Sequence, residues 1–205
     1  MKTICIIIFF LASNYVVGQS SMPDTLKEKY AWTISLGNYA KAGLGTTFLG
    51  FGYSPNRHLD FFVAPSWGIF TGGTAIFFGS KFNVFSKRKL LFNAELTYRH
   101  SSSTVVIYEN FNTGGQESYY IPPSDYILTG IGINYRTTNK QNESSLMVFN
   151  VTINYNLELG NKHFKYLSGP FSKEGKNSAR RKLAGGFGFS ISFTTQLWRN
   201  KKKSQ

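Results

Sequence analysis

From about residue 30 onward the chain alternates, residue by residue, between apolar side chains and small or polar ones, in eight separate runs. A period of two puts successive side chains on opposite faces of a strand, so a chain patterned this way folds as sheet and not as helix. Tyr30 to Gly37 sets Tyr30, Trp32, Ile34 and Leu36 against Ala31, Thr33, Ser35 and Gly37. Leu44 to Tyr53 sets Leu49, Phe51 and Tyr53 against Thr46, Phe48, Gly50 and Gly52. From His58, Leu59, Phe61, Val63, Pro65 and Trp67 oppose Asp60, Phe62, Ala64 and Ser66; in Ala75 to Phe85, Ile76, Phe78, Phe82 and Val84 oppose Gly79, Lys81 and Asn83. The later runs are cleaner, with apolar faces Leu90–Tyr98, Ile127–Tyr135, Met147–Tyr155 and Phe187–Leu197. Strands of about ten residues have the length that a tilted strand needs to cross a bilayer.

The connections alternate in length. Ser54-Pro55-Asn56-Arg57, Ser86-Lys87-Arg88-Lys89 and the polar link from Thr138 to Ser144 are short. Between them fall connections around Asn38 to Gly43 and Thr71 to Thr74, and two long loops, Ser101 to Pro123 and Glu158 to Leu183. Short turns on one side and long loops on the other is the asymmetry of bacterial outer-membrane barrels, and it puts both termini on the periplasmic side. Lys2, the apolar stretch Ile4 to Ala12 and the small residues up to Gly18 read as a secretory signal over 1–18, with Gln19 as the mature N-terminus. The barrel is expected over 19–198, with a basic tail over 199–205. Cys5 is the only cysteine and lies in the signal, so the mature chain has no disulfide, zinc thiolate or cysteine nucleophile.

Closing eight strands leaves an interior just wide enough to be filled by side chains. With 19 Phe and 12 Tyr in the chain, the apolar face would overfill it, so that face is expected outward, against lipid, and the Gly- and Ser-rich face inward. The alternative is a soluble lipocalin-type barrel with the faces reversed. A mean hydropathy of −0.20 fits the first arrangement, because hydrophobicity confined to every second residue averages out. Tyr30, Trp32, Tyr53 and Tyr135 at one end, and Trp67, Tyr98, Tyr155 and Phe187 at the other, would form the aromatic girdles of a membrane interface.

The signal, the eight alternating strands and the last strand, Gly185-Gly186-Phe187-Gly188-Phe189-Ser190-Ile191-Ser192-Phe193, resemble the small outer-membrane barrels of Bacteroidetes-type bacteria, with OmpA/OmpX-like architecture. The resemblance implies an all-β fold, a closed antiparallel eight-stranded transmembrane barrel, monomeric, without cofactor and inserted by the outer-membrane assembly machinery. It names no activity. Such barrels end on an aromatic residue that the machinery reads, whereas here Trp198 is followed by Arg199-Asn200-Lys201-Lys202-Lys203-Ser204-Gln205.

Three groups of residues carry candidate chemistry. Lys162, Lys165, Lys173, Lys176, Arg180, Arg181 and Lys182 in the second long loop face only Glu158 and Glu174, a cluster suited to lipopolysaccharide phosphates. At an outer-membrane address such a patch has no nucleic acid to bind. The first long loop carries Glu109 and Glu117 and no Lys or Arg, so the two loops are expected to dock by opposite charge. Tyr98-Arg99-His100-Ser101-Ser102 resembles the His-x-Ser element of outer-membrane lipid A deacylases. That likeness implies His100 as base, Ser102 as nucleophile, both on the lipid-facing side, and Glu109 or Glu117 as the orienting acid. Ser103 stands where that family has Asn. A structural or surface-binding role is the favoured expectation, and the esterase is the alternative. His58, His100 and His163 are on separate elements and form no metal site. Inside the barrel, a register with Val84 opposite Phe92 sets Lys81 opposite Glu95, an interior ion pair that Arg99 is expected to share. Eight strands leave no aqueous channel.

Overall fold

The computed structural model describes residues 31–41, 44–55, 58–68, 73–84, 90–110, 114–138, 146–160, 162–169 and 171–199. Residues 1–30, where a signal was expected, most of the short turns and the residues beyond Arg199 lie outside the described residues. Eight strands close into an antiparallel barrel: β1 (Ala31–Lys41), β2 (Leu44–Ser54), β3 (Leu59–Gly68), β4 (Thr74–Val84), β5 (Leu90–Ser101), β8 (Ser124–Thr138), β9 (Leu146–Leu159) and β11 (Gly186–Arg199). Each pairs with its neighbour in the chain order just given, and β11 returns to β1 to complete the wall. A bulge between Trp32 and Thr33 adjusts that last seam.

The faces divide as the two-residue period requires. Ile131 and Phe187 on the outside keep 73% and 75% of their surface exposed, and Trp32, Phe51, Phe61, Trp67, Phe78 and Phe92 are exposed beside them. On the inside, Asn83, Asn93, Thr97, Asn134, Asn150, Thr152, Asn154 and Asn156 are buried. This is the reverse of a water-soluble barrel, where the polar face meets solvent. Trp32 lies 4.9 Å from Tyr53 at the end holding the first and last strand ends, and Tyr155 lies 5.2 Å from Phe187 at the other.

The interior has two levels. Nearer the end with the chain termini, an amide and hydroxyl network crosses the lumen. Ser54 Oγ (2.6 Å) and Asn83 Nδ2 (2.7 Å) donate to the Asp60 carboxylate, Asn134 Nδ2 donates to Asn83 Oδ1 (2.7 Å), Asn150 Nδ2 to Asn134 Oδ1, and Thr152 Oγ1 to Asn150 Oδ1 (2.9 Å). At the other level Tyr39, Phe77, Tyr126, Leu128, Ala64 and Ala75 form an apolar cluster with Phe48 and Phe62 against it. The inward set is therefore not uniformly small and polar: aromatic rings close one level of the lumen and amides fill the next.

The two long loops are folded. In the first, β6 (Thr104–Asn110) and β7 (Gly115–Ile121) form a hairpin. The second contributes β10 (Lys165–Ser168), which pairs with β7, and a helix, α1 (Lys173–Leu183). Ser172 caps α1, its Oγ accepting from Gly175 N at 3.0 Å. Gly175, Ala179 and Leu183 lie at i, i+4 and i+8 and are the buried face of α1. Leu183 packs with Val106 of β6 and Ile121 of β7. Burying each large side chain contributes about 1.5–3 kcal/mol toward offsetting the entropy lost in ordering the segment. The loops do meet, but through strand pairing and apolar packing.

Candidate functional site

Lys81 and Glu95 are direct cross-strand partners of β4 and β5, and Lys81 Nζ lies 3.4 Å from Glu95 Oε2. Thr97 Oγ1 donates to Glu95 Oε1 at 2.8 Å, and Lys81 Nζ reaches Asn150 Oδ1 at 3.4 Å. The pair lines a cavity of ≈ 110 Å³ that reaches the aromatic level, together with Asp60, Asn134, Asn154 and Ser192 on its polar part and Phe62 and Phe77 on its apolar part. Arg99 does not join it. Four residues along a strand separate two side chains by about 13 Å, too far to share one carboxylate. The Arg99 guanidinium lies instead among the rings of Tyr39 (5.2 Å), Tyr126 (5.4 Å) and Phe77 (5.6 Å). Lys41 Nζ sits 4.3 Å over the Tyr126 ring. Cations held on aromatic faces mark this level.

At the outward rim, His100 and Asp125 are cross-strand partners of β5 and β8, with Nδ1 2.8 Å from Asp125 Oδ1. Tyr98 OH donates to the same oxygen at 2.6 Å. The carboxylate beside His100 is thus Asp125, where the deacylase likeness implied Glu109 or Glu117. Glu109 is exposed on the hairpin and accepts from Gln116 Nε2 at 3.2 Å. Glu117 is fully buried under α1, where it accepts from Tyr119 OH and from Ser172 N (3.3 Å). Ser102 follows the last residue of β5, and its N–H still donates to Thr74 O at 2.8 Å. Its Oγ accepts from Thr74 N at 2.9 Å and Thr74 Oγ1 at 3.0 Å, and it lines the mouth of the barrel with the inward-facing Arg99 and Ser101. His100 is engaged by Asp125, and Ser102 by Thr74, the cross-strand partner of the outward Trp67. Asp125 is not legible as the partner of His100 in the sequence because it lies at the start of β8, beyond the loop that follows Ser102.

The cationic residues of the second loop gather on one cap. Lys162, Lys165, Lys173, Lys176, Arg180 and Arg181 are exposed, and Lys182 is half-buried, which lowers its ammonium from the ordinary lysine value. Lys176 lies 5.8 Å from the exposed Phe171 ring, so apolar and cationic surface adjoin. Under the cap, burial and the Glu117 hydrogen bond push the Tyr119 phenol far up. Among the described residues no group of three His, Cys, Asp or Glu stands close enough to hold a metal ion.

No family model matches the chain, and no curated protein matches it. Among solved structures, it is similar to the N-terminal β-barrel domain of Pseudomonas aeruginosa OprF, at 10% identity over 80% of this chain and 96% of that one, with a TM-score of 0.48. It is similar also to Neisserial surface protein A (NspA), at 10% identity over 82% of this chain and 94% of that one, with a TM-score of 0.42. At this degree of likeness the closed eight-stranded fold rests on the strand register of the chain itself.

Proposed function

We propose that the chain is an outer-membrane barrel of a Gram-negative bacterium, inserted by the assembly machinery as a monomer, with a structural or surface-binding role and no open pore. The observation that carries this reading is the division of faces: a belt of exposed Phe, Trp, Ile and Leu around a lumen packed with Asn, Thr and Ser. In water that belt would be a large aggregation surface, and in hydrocarbon it is the favoured one, with every backbone group satisfied inside a closed wall. The folded cap then stands at the outer surface, and its Lys and Arg side chains meet the phosphates of lipopolysaccharide.

Membrane fractionation tests the address. The mature chain is expected in the outer membrane and to shift its gel mobility on boiling; recovery as a soluble periplasmic protein refutes the reading. The binding role has its own test. Replacing Lys173, Lys176, Arg180 and Arg181 with Gln together should weaken association with lipopolysaccharide-containing vesicles while leaving the heat-dependent gel shift intact.

A further inference from the structure

Where the cap meets the barrel, three buried donors converge on one small cavity. Thr46 Oγ1, Arg99 Nε and Ser101 Oγ all line it, and none has a hydrogen-bond partner among the described residues. Thr46 and Arg99 are 6% and 5% exposed. A buried donor left unpaired costs about 1–3 kcal/mol, and more when it is charged, so three at one point call for a common acceptor. The other hydroxyls on the lining are already engaged: Ser102 with Thr74, and Ser124 donating to Pro122 O at 3.0 Å.

Charge points the same way. Lys182 of α1 lines the same cavity as Arg99, next to Leu183, whose carbonyl accepts from Tyr126 OH at 2.9 Å. Behind the Tyr126 ring stands Lys41, buried, with its ammonium also unpartnered. Against these three cations the interior presents Glu158, the cross-strand partner of Tyr126, whose carboxylate acts on Lys41. That leaves an excess of positive charge in a region screened from water, an arrangement that costs several kcal/mol unless an anion joins it. The ring contacts of Arg99 offset part of this cost but give Nε no acceptor.

Size limits the anion. The cavity measures ≈ 40 Å³, and one water needs about 10–15 Å³ on this scale, so roughly three water-sized spheres fit. That is the bulk of one tetrahedral oxyanion. We propose that the mouth of the barrel holds a site for a phosphoryl group, either free phosphate or the terminal phosphate of a lipid headgroup, bound by Arg99, Thr46 and Ser101 of the wall and Lys182 of the cap. Arg99 and Lys182 neutralise the dianion, and the two hydroxyls donate to its remaining oxygens. Because one half of the site is cap and the other is wall, the ligand also ties α1 down onto the barrel. The site stands on its own geometry and is independent of the membrane reading.

The test uses the full mature chain folded in uncharged detergent micelles, titrated with inorganic phosphate at ionic strength held constant with chloride and followed by calorimetry. A parallel arm replaces free phosphate with micelles of a phosphorylated glycolipid, and of the same lipid after its phosphates are hydrolysed. Saturable binding is expected to weaken about tenfold in Lys182→Gln, the equivalent of about 1.4 kcal/mol, and severalfold in Ser101→Ala. Both variants leave the Arg99 ring contacts in place, and the boiling-dependent gel shift confirms folding. Binding of free phosphate with those losses assigns a soluble oxyanion. Binding of the phosphorylated lipid alone, with the same losses, assigns a headgroup. No binding beyond chloride in either arm, or binding that both variants leave unchanged, overturns the proposal.

Discussion

Glu95→Ala removes the carboxylate facing Lys81 and leaves an ammonium whose side chain is 19% exposed, beside the Asn150 amide and 5.2 Å from the Phe62 ring. Its other cross-strand neighbour, Asp60, is already bonded by Ser54 and Asn83. At the observed 3.4 Å, an effective dielectric of about 20 gives a gross attraction of about 5 kcal/mol. Truncating one member of a dry buried pair costs about 3–5 kcal/mol, but this pair lines a cavity of ≈ 110 Å³ with room for water. The expected loss is accordingly about 2 kcal/mol, and Lys81→Met alone should cost less, because Thr97 still donates to Glu95. Lys81→Met combined with Glu95→Leu removes both charges and should return to within about 1 kcal/mol of the parent. Urea unfolding in lipid vesicles, followed by tryptophan fluorescence and by the gel shift on boiling, supplies the double-mutant cycle. Single variants within about 0.5 kcal/mol of the parent and strictly additive would refute the reasoning, by showing the two charges uncoupled.

Other expectations follow from single contacts. Gly132→Ala would place its Cβ 2.6 Å from Val151 O and Thr152 Oγ1, and since a backbone carbonyl has little room to retreat, a loss of about 1–3 kcal/mol is expected in the same urea assay. The raised Tyr119 phenol means the folded cap holds that proton more tightly than the unfolded chain, so its stabilisation is complete below the ordinary value of 10.0 and declines as pH rises above it. Limited proteolysis of the cap should therefore accelerate between pH 9 and pH 11 while the barrel stays resistant. Expressing the protein should leave the lipid A acyl pattern unchanged, and mass spectrometry showing an ester-linked chain lost in a His100- and Ser102-dependent way would revive the esterase. Planar bilayers holding the protein should show no steady conductance, given the ring cluster around Arg99.

Parity made most of the wall legible. A slip of one residue between β4 and β5 would turn Phe92 and Leu96 inward and Glu95 outward, so the register with Lys81 opposite Glu95 follows from alternation and a short turn. Alternation stops being informative where strands run past the apolar belt: β1 continues through Tyr39 to Lys41, and β5 through His100 to Ser101, on cross-strand hydrogen bonding and not on an apolar stripe. The cap was hidden for a different reason. The buried face of α1 is Gly175, Ala179 and Leu183, two of them too small to register as hydrophobic periodicity amid five Lys and Arg. Arg99 was misplaced because i and i+4 are neighbours on a helix but not on a strand.

The seam between β1 and β11 joins the two ends of the chain, with Ser35 and Thr194 hydroxyls 2.7 Å apart across 159 residues. Since rings and amides fill the lumen, a finished cylinder offers no passage for a peptide. In a bilayer, the segments that build the cap must therefore cross while the wall still gapes sideways, before β11 meets β1. For insertion from the side of the termini the order is then fixed: hairpin and helix cross first, and zipping the first strand to the last locks them on the far side.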